Sequence, residues 1–217
     1  MQADSVGGIT PAVLATLRPG EKILAAHGLM LFKEPSVKVG RRTMRQLGVS
    51  MGTYLAMHNR GDADENFFFA EFEGPGHVSF SRDKGGEVRV VPLAAGQNWH
   101  LREGHLICFD ESVRYQPVVV AQWQVFDTNG QAQNRYLFGD SLSGPGTIVF
   151  QAYGNVLSFT LQPGETIRTS TEGFLAAQTS VQVQLQWQFS AQLGRGNYQV
   201  PVLHLTGPGQ VLVHSGL

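Results

Sequence analysis

From Ser180 to Gln192 the chain alternates strictly. Val181, Val183, Leu185, Trp187, Phe189 and Ala191 are apolar, and Gln182, Gln184, Gln186, Gln188, Ser190 and Gln192 flank them. A period of two sends each set to one face of a β-strand, whereas a helix would scatter both around its circumference. The pattern predicts a strand with the apolar set, Trp187 included, in the core and a row of amides outside. The related run Val118–Phe126 alternates less cleanly and reads as a strand buried on both faces, with Asn129-Gly130 after it as a hairpin signal. Three shorter apolar runs, His77–Phe80, Thr147–Phe150 and Gln210–Val213, read as further strands. Only Thr10-Pro11 before Ala12-Val13-Leu14 suggests a helix, and that for a single turn.

The short runs share a preface. Each follows Gly-Pro-Gly: Gly74-Pro75-Gly76, Gly144-Pro145-Gly146 and Gly207-Pro208-Gly209. Upstream of each lies a turn glycine, Gly20 in Leu17-Arg18-Pro19-Gly20-Glu21, Gly96 in Leu93-Ala94-Ala95-Gly96-Gln97, and Gly164 in Leu161-Gln162-Pro163-Gly164-Glu165. Pro followed by Gly is the type II turn, which needs a positive φ at its third position. A Ser-Val pair completes the set at Ser36-Val37, Ser112-Val113 and Ser180-Val181. From Gly20 to Val37, Gly96 to Val113 and Gly164 to Val181 the separation is 17 residues each time. Chance supplies turn glycines; it rarely supplies three markers in one order at one spacing. The expectation is a triplication in one compact unit, 1–217, with repeats at 17–92, 93–160 and 161–217.

In the third copy Leu-x-Pro-Gly-Glu, then Gly173-Phe174-Leu175-Ala176, then Ser180-Val181 resembles the altered-inheritance-of-mitochondria family, over about residues 17–214. The second copy, from Gly104-His105-Leu106-Ile107 to Ser112-Val113, is similar, although Ala95-Gly96-Gln97 departs from Pro-Gly-Glu. The resemblance implies a fold like the tryptophan RNA-binding attenuation protein: three β-modules of the double-stranded β-helix type around a pseudo-threefold axis, with assembly into rings. Fungal members of that family are linked to mitochondrial organisation.

Composition narrows the function classes. Sixteen Lys and Arg against 17 Asp and Glu give a net charge of −1, which argues against a globally basic nucleic-acid binder. One cysteine, Cys108, excludes an intrachain disulfide framework and fits a reducing, cytoplasmic compartment. No basic-then-apolar leader opens the sequence, and no apolar run has the length of a membrane span.

Candidate chemistry is sparse. Lys38, Arg41, Arg42 and Arg45 form a basic segment that would suit phosphates of RNA or of anionic lipid. It occurs in one copy only, and a loop that is solvated or paired internally, with Asp62, Asp64 and Glu65 at hand, is the favoured alternative. Seven histidines include no His-x-His pair, and His100 and His105 bracket a turn, poor spacing for metal ligands on a strand. There is no Gly-x-Ser-x-Gly, phosphate-binding loop or dinucleotide fingerprint. The expectation is a non-enzymatic, all-β scaffold without cofactor or metal, acting through assembly or partner binding. A homo-oligomer is expected, a cyclic trimer above a monomer, with the glutamine face offering neutral amides to an interface. A small-ligand or nucleic-acid binding module built on residues 38–45 is the alternative, and a metal-dependent cupin-like enzyme is disfavoured.

Overall fold

The structure, a computed structural model, describes residues 1–8, 10–49, 68–82, 85–126, 129–190 and 198–216. These residues form strands joined by short turns, with one 3-10 turn at Arg45–Leu47 and no α-helix among them. The strands are β1 (Gln2–Val6), β2 (Ala12–Leu17), β3 (Lys22–Ala25), β4 (Met30–Lys33), β5 (Lys38–Thr43), β6 (Phe68–Glu73) and β7 (Gly76–Ser81). Next come β8 (Val88–Leu93), β9 (Asn98–Arg102), β10 (Leu106–Asp110), β11 (Arg114–Phe126), β12 (Ala132–Ser143) and β13 (Gly146–Gln151). The last are β14 (Val156–Leu161), β15 (Thr166–Ser170), β16 (Phe174–Gln178), β17 (Gln182–Ser190), β18 (Tyr198–Thr206) and β19 (Gly209–His214).

Four sheets result, in the orders β1-β2-β7-β4, β5-β6-β3-β10-β13-β8, β11-β12-β9-β16-β19-β14 and β15-β18-β17. Both six-stranded sheets are joined at their middle by the same kind of contact: β10 pairs antiparallel with β3, and β16 with β9. A bulge interrupts the pairing of β4 with β7 at Leu31, of β10 with β13 at Ile107, and of β16 with β19 at Leu175.

The marker turns have one geometry in all three places. Gly20, Gly96 and Gly164 have φ of 76°, 83° and 79°, and Glu21, Gln97 and Glu165 donate their N–H to the carbonyls of Arg18, Ala94 and Gln162 at 3.0–3.1 Å. The carboxyl or amide of the same three residues accepts back from the N–H of Arg18, Ala94 and Gln162. Each Gly-Pro bond is cis. The second glycine of each Gly-Pro-Gly has φ of 133–142°, and a Cβ there would come within 2.9 Å of the neighbouring Ser and Val side chains. At Gly146 those neighbours are Ser112 and Val113, so the spacing of 17 in the sequence marks the distance from turn glycine to packing partner.

Burial follows the pleat where a sheet lies on the core. In β2, Val13, Ala15 and Leu17 are buried and alternate with half-buried residues. Three apolar clusters form the interior, and Ile107 and Cys108 pack in one of them with Val13, Ile23 and Phe80. Three sequence expectations change. Thr10-Pro11 opens strand β2, not a helical turn, because residues 12–17 pair with both β1 and β7. The 118–126 run is buried on one face only: Val119 is exposed, and the bulge between Val119 and Ala121 restores the alternation so that Ala121 is buried. Trp187 is 40% exposed, not core. The register is not inverted, since Gln182, Gln184 and Gln186 are exposed as expected. β17 is an edge strand that runs beyond the core beneath it, so burial fades from Val181 through Val183 and Leu185 to Trp187. Phe189 and Ala191 lie where side chains are outside the described residues.

Candidate functional site

The basic segment falls on β5, the edge strand of the first six-stranded sheet, and on the 3-10 turn after it. Two of its four cations are engaged by carboxylates on neighbouring strands. Lys38 reaches Glu73 at 3.3 Å, and Arg42 bonds Glu71 and, across to β10's end, Glu111 at 2.6 Å. Lys22 on β3 joins the same group at 3.4–3.5 Å from Glu71 and Glu73. Glu111 and Glu71 hold the Arg42 guanidinium above its ordinary range, and Lys38 and Lys22 hold Glu73 below its own. Arg41 and Arg45 are exposed and have no ion-pair partner among the described residues. Internal pairing is therefore the arrangement found, with Glu71, Glu73 and Glu111 as partners; Asp62, Asp64 and Glu65 lie outside the described residues.

The strand edges differ more than the charges do. β10 and β16 are flanked on both sides, and Leu106, Ile107, Cys108, Phe174, Leu175 and Ala176 are all buried. β4 occupies the same place after its turn, carries Met30, Leu31 and Phe32 at the same positions, and among the described residues pairs on one side only. Those three are 47%, 59% and 51% exposed. At the far end β15 holds the place of β3 and β9 and also pairs on one side only, with β18.

A second locus was invisible in the sequence. His105, in the turn before β10, and His214, at the end of β19, are 109 positions apart and meet with ring centroids 5.2 Å apart. Tyr153 stands beside both, at 4.7 Å from His105 and 5.8 Å from His214. They line a cavity of about 490 Å³ with Arg102, Glu172, Gly85, Gly154 and Gly216. The connecting segments meet here: Glu87 donates to the carbonyl of Gly154, and Gly216 to that of Tyr153. His105 Nδ1 donates to the carbonyl of Gln151 at 2.7 Å, and His214 Nδ1 to that of Tyr153 at 3.1 Å. A carbonyl only accepts, so His105 Nδ1 carries the proton and its Nε2 keeps its lone pair, whereas the His214 ring faces the carbonyls of both Tyr153 and Glu172. Burial lowers His105 to about 4 and lowers His214 as well, so both rings are neutral near pH 7. His214 Nε2 is buried with no hydrogen-bond partner. Arg102 is fixed by the carbonyls of Thr171 and Glu172 and by the Glu172 carboxylate at 2.6 Å. Among the described residues no group of three or more His, Cys, Asp or Glu is placed to hold a metal ion. His100 and His105 do not share a site: His100 pairs across to Ala177 in the sheet. Only the apolar neighbours of His105 hinted at its burial, and nothing local pointed to His214.

Residues 6–216 match the family described as Mitochondrial biogenesis AIM24. The chain belongs to that family. This AIM24 family member also shares its fold with the crystal structure of protein SPYM3_0169 from Streptococcus pyogenes, at a TM-score of 0.67 and 17% identity. The match covers 99% of this chain and 93% of that one. No curated protein matches the sequence. No helix among the described residues is long and apolar enough to cross a membrane.

Proposed function

We propose that this AIM24 family member is a non-enzymatic β-scaffold that works by assembling head to tail with copies of itself. One observation carries the proposal: Met30, Leu31 and Phe32 are exposed at the positions where the second and third copies of the same strand are buried. The two covered strands owe their burial to β3 and β9, each donated by the preceding unit. β4 lacks such a neighbour, and β15 is the equivalent of β3 and β9 without its β4. Joined between molecules, β15-β18-β17 and β1-β2-β7-β4 make a further sheet of the kind already seen twice within the chain. The chain is then three β-modules on an arc, and the threefold axis anticipated from the sequence relates three chains rather than three modules. A heterologous contact of this kind closes into a ring when its rotation allows and otherwise continues as a filament. The cyclic trimer is the favoured form, with an attenuation-protein-like ring of modules as its architecture.

In the register of the internal junctions, Phe32 meets Thr169 and Lys33 meets Arg168. The Lys33 ammonium is already turned back onto the carbonyls of Glu34 and Val37, which moves its charge off the joint. The thiol of Cys108, buried and raised by that burial, fits a reducing, cytoplasmic setting. Residues 38–45 support a nucleic-acid role less well, since Glu71, Glu73 and Glu111 engage Lys38 and Arg42.

Light scattering at micromolar concentration tests the proposal. The expected mass is a multiple of 23.7 kDa, three for the trimer, falling to the single-chain value in Phe32→Asp with the far-ultraviolet spectrum unchanged. A wild-type mass of 23.7 kDa that does not move on concentration overturns it.

A further inference from the structure

β14 is the edge strand of the second six-stranded sheet, and two large apolar side chains stand bare on it. Leu157 is 53% exposed and Phe159 39%. They are two residues apart on a strand, so they share one face.

The repeat shows how the same face is used elsewhere in the chain. β2, β8 and β14 each pair with the strand that follows a Gly-Pro-Gly, and the register aligns them. Ala15, Val91 and Phe159 lie opposite Val78, Ile148 and Val211, the third residue of each partner strand. Val13, Arg89 and Leu157 stand two residues earlier. On β2, Val13 and Ala15 have no exposed surface and share an apolar cluster with Ile107 and Cys108 of β10. On β8, Val91 packs against the cluster that contains Leu175 and Ala176 of β16. Thus β10 covers the face of β2, and β16 covers that of β8. The third strand equivalent to β10 and β16 is β4, which precedes both and carries Leu31 and Phe32 where they carry Ile107-Cys108 and Leu175-Ala176. Leu31 and Phe32 are exposed as well. The chain therefore displays both halves of one more such contact, an uncovered face on β14 and an uncovered cover on β4.

We propose that Leu157 and Phe159 of one copy pack face to face on Leu31 and Phe32 of the next. The contact rests on the head-to-tail reading above and gives the joint a second surface. Pairing β15 with β4 satisfies backbone groups along one edge; the side chains of β4 still need a layer over their face. The arm that would supply both is a single piece of chain. β14 leads into β15 through the Gly164 turn, whose φ of 79° matches the 76° of Gly20 between β2 and β3. The side chains are bulkier here than where Val13 and Ala15 meet Ile107 and Cys108. Units within a chain are tethered, whereas separate copies lose translational and rotational freedom on joining, and a larger buried apolar area offsets that loss.

Light scattering at graded concentrations of wild type, Phe159→Asp, Leu157→Asp and Leu31→Asp tests the contact. All three positions are exposed in the single chain, so the far-ultraviolet spectra should match. Each variant should assemble about a hundredfold or more weakly than wild type, because the joint would bury a carboxylate without a partner. Mixing two impaired variants checks that the surfaces oppose each other. Phe159→Asp keeps an intact β4, and Leu31→Asp keeps an intact β14. An equimolar mixture should therefore form a dimer of twice 23.7 kDa and nothing larger. Assembly of both Phe159→Asp and Leu157→Asp at wild-type strength overturns this contact and leaves the head-to-tail reading standing. A mixture that stays at 23.7 kDa also overturns it, since β14 and β4 would then not be the two sides of one joint. A wild-type mass of 23.7 kDa at every concentration removes the head-to-tail reading, and this contact with it.

Discussion

β4 and β10 follow the same turn, carry a bulge at the same place and lean on a Gly-Pro-Gly strand in the same way. They differ in what lies on their other side. β3 lies against β10 and leaves Ile107 with no exposed surface; among the described residues no strand pairs with the other edge of β4, and Leu31 is 59% exposed. The sequences of the two strands, Met-Leu-Phe-Lys and Leu-Ile-Cys-Phe-Asp, are comparably apolar. Burial here is a property of position in the array of sheets, and composition alone does not report it. An exposed apolar strand edge is also a liability that proteins normally cover, which is why the difference argues for a partner strand.

Matched truncations give the largest expected effect. Ile107→Ala should lower unfolding stability by about 2–5 kcal/mol through the cavity it opens. Leu31→Ala, measured in dilute monomeric protein, should stay within about 0.5 kcal/mol. Urea melts of the two variants settle the matter. Equal losses would mean that β4 is covered within the single chain, and the comparison would collapse.

The turn before each strand sharpens the contrast, because Leu29 precedes β4 where His105 precedes β10. His105 is lowered to about 4 by burial. The unfolded chain therefore binds more protons than the native one between pH 4 and about 6.5, and stability falls as pH drops through that window. Asp140, buried and bonded by the Tyr115 hydroxyl at 2.9 Å, is raised to about 7, with desolvation as the main cause. Its sign is opposite: the native state holds the extra proton, and stability falls as pH rises from about 4 to 7. Each contributes on the order of 3–4 kcal/mol, so they largely cancel in the intact protein. His105→Leu should lose stability as pH rises across that window, and Asp140→Asn should gain it. Denaturant midpoints at pH 4, 5 and 6.5 read both; parallel profiles in the two variants would refute the assignment.

The smallest effect concerns the proposed joint itself. Arg168→Glu would place a carboxylate opposite Lys33 in the register of the internal junctions. Such a cross-strand pair contributes roughly 0.2–1 kcal/mol, a severalfold tightening of self-association. Sedimentation at graded concentration detects it. A variant that associates no more tightly than wild type would show that β4 and β15 do not meet in this register.

Much of the fold was legible because turns are local. A positive φ at Gly20, Gly96 and Gly164, and the crowding of Gly76, Gly146 and Gly209 against Ser and Val, are demands of a few neighbouring residues, and the sequence states them. The alternation of Val181, Val183 and Leu185 with glutamines likewise fixed which face turned inward. The depth of that burial was not local. Trp187 obeys the alternation and is still 40% exposed, because its strand outruns the core below it. The basic segment was visible as charge, yet its partners Glu71, Glu73 and Glu111 were chosen by strand order. His105 and His214 had no common signal at all, being brought together where separate connectors meet. The sequence by itself determined strand period, turn type and the threefold recurrence of its markers, since each is set by backbone sterics within a few residues. The tertiary structure alone decided which apolar strand is covered, which charges are paired and which histidines share a cavity. Those depend on pairing between segments far apart in the chain, and no local pattern encodes that pairing.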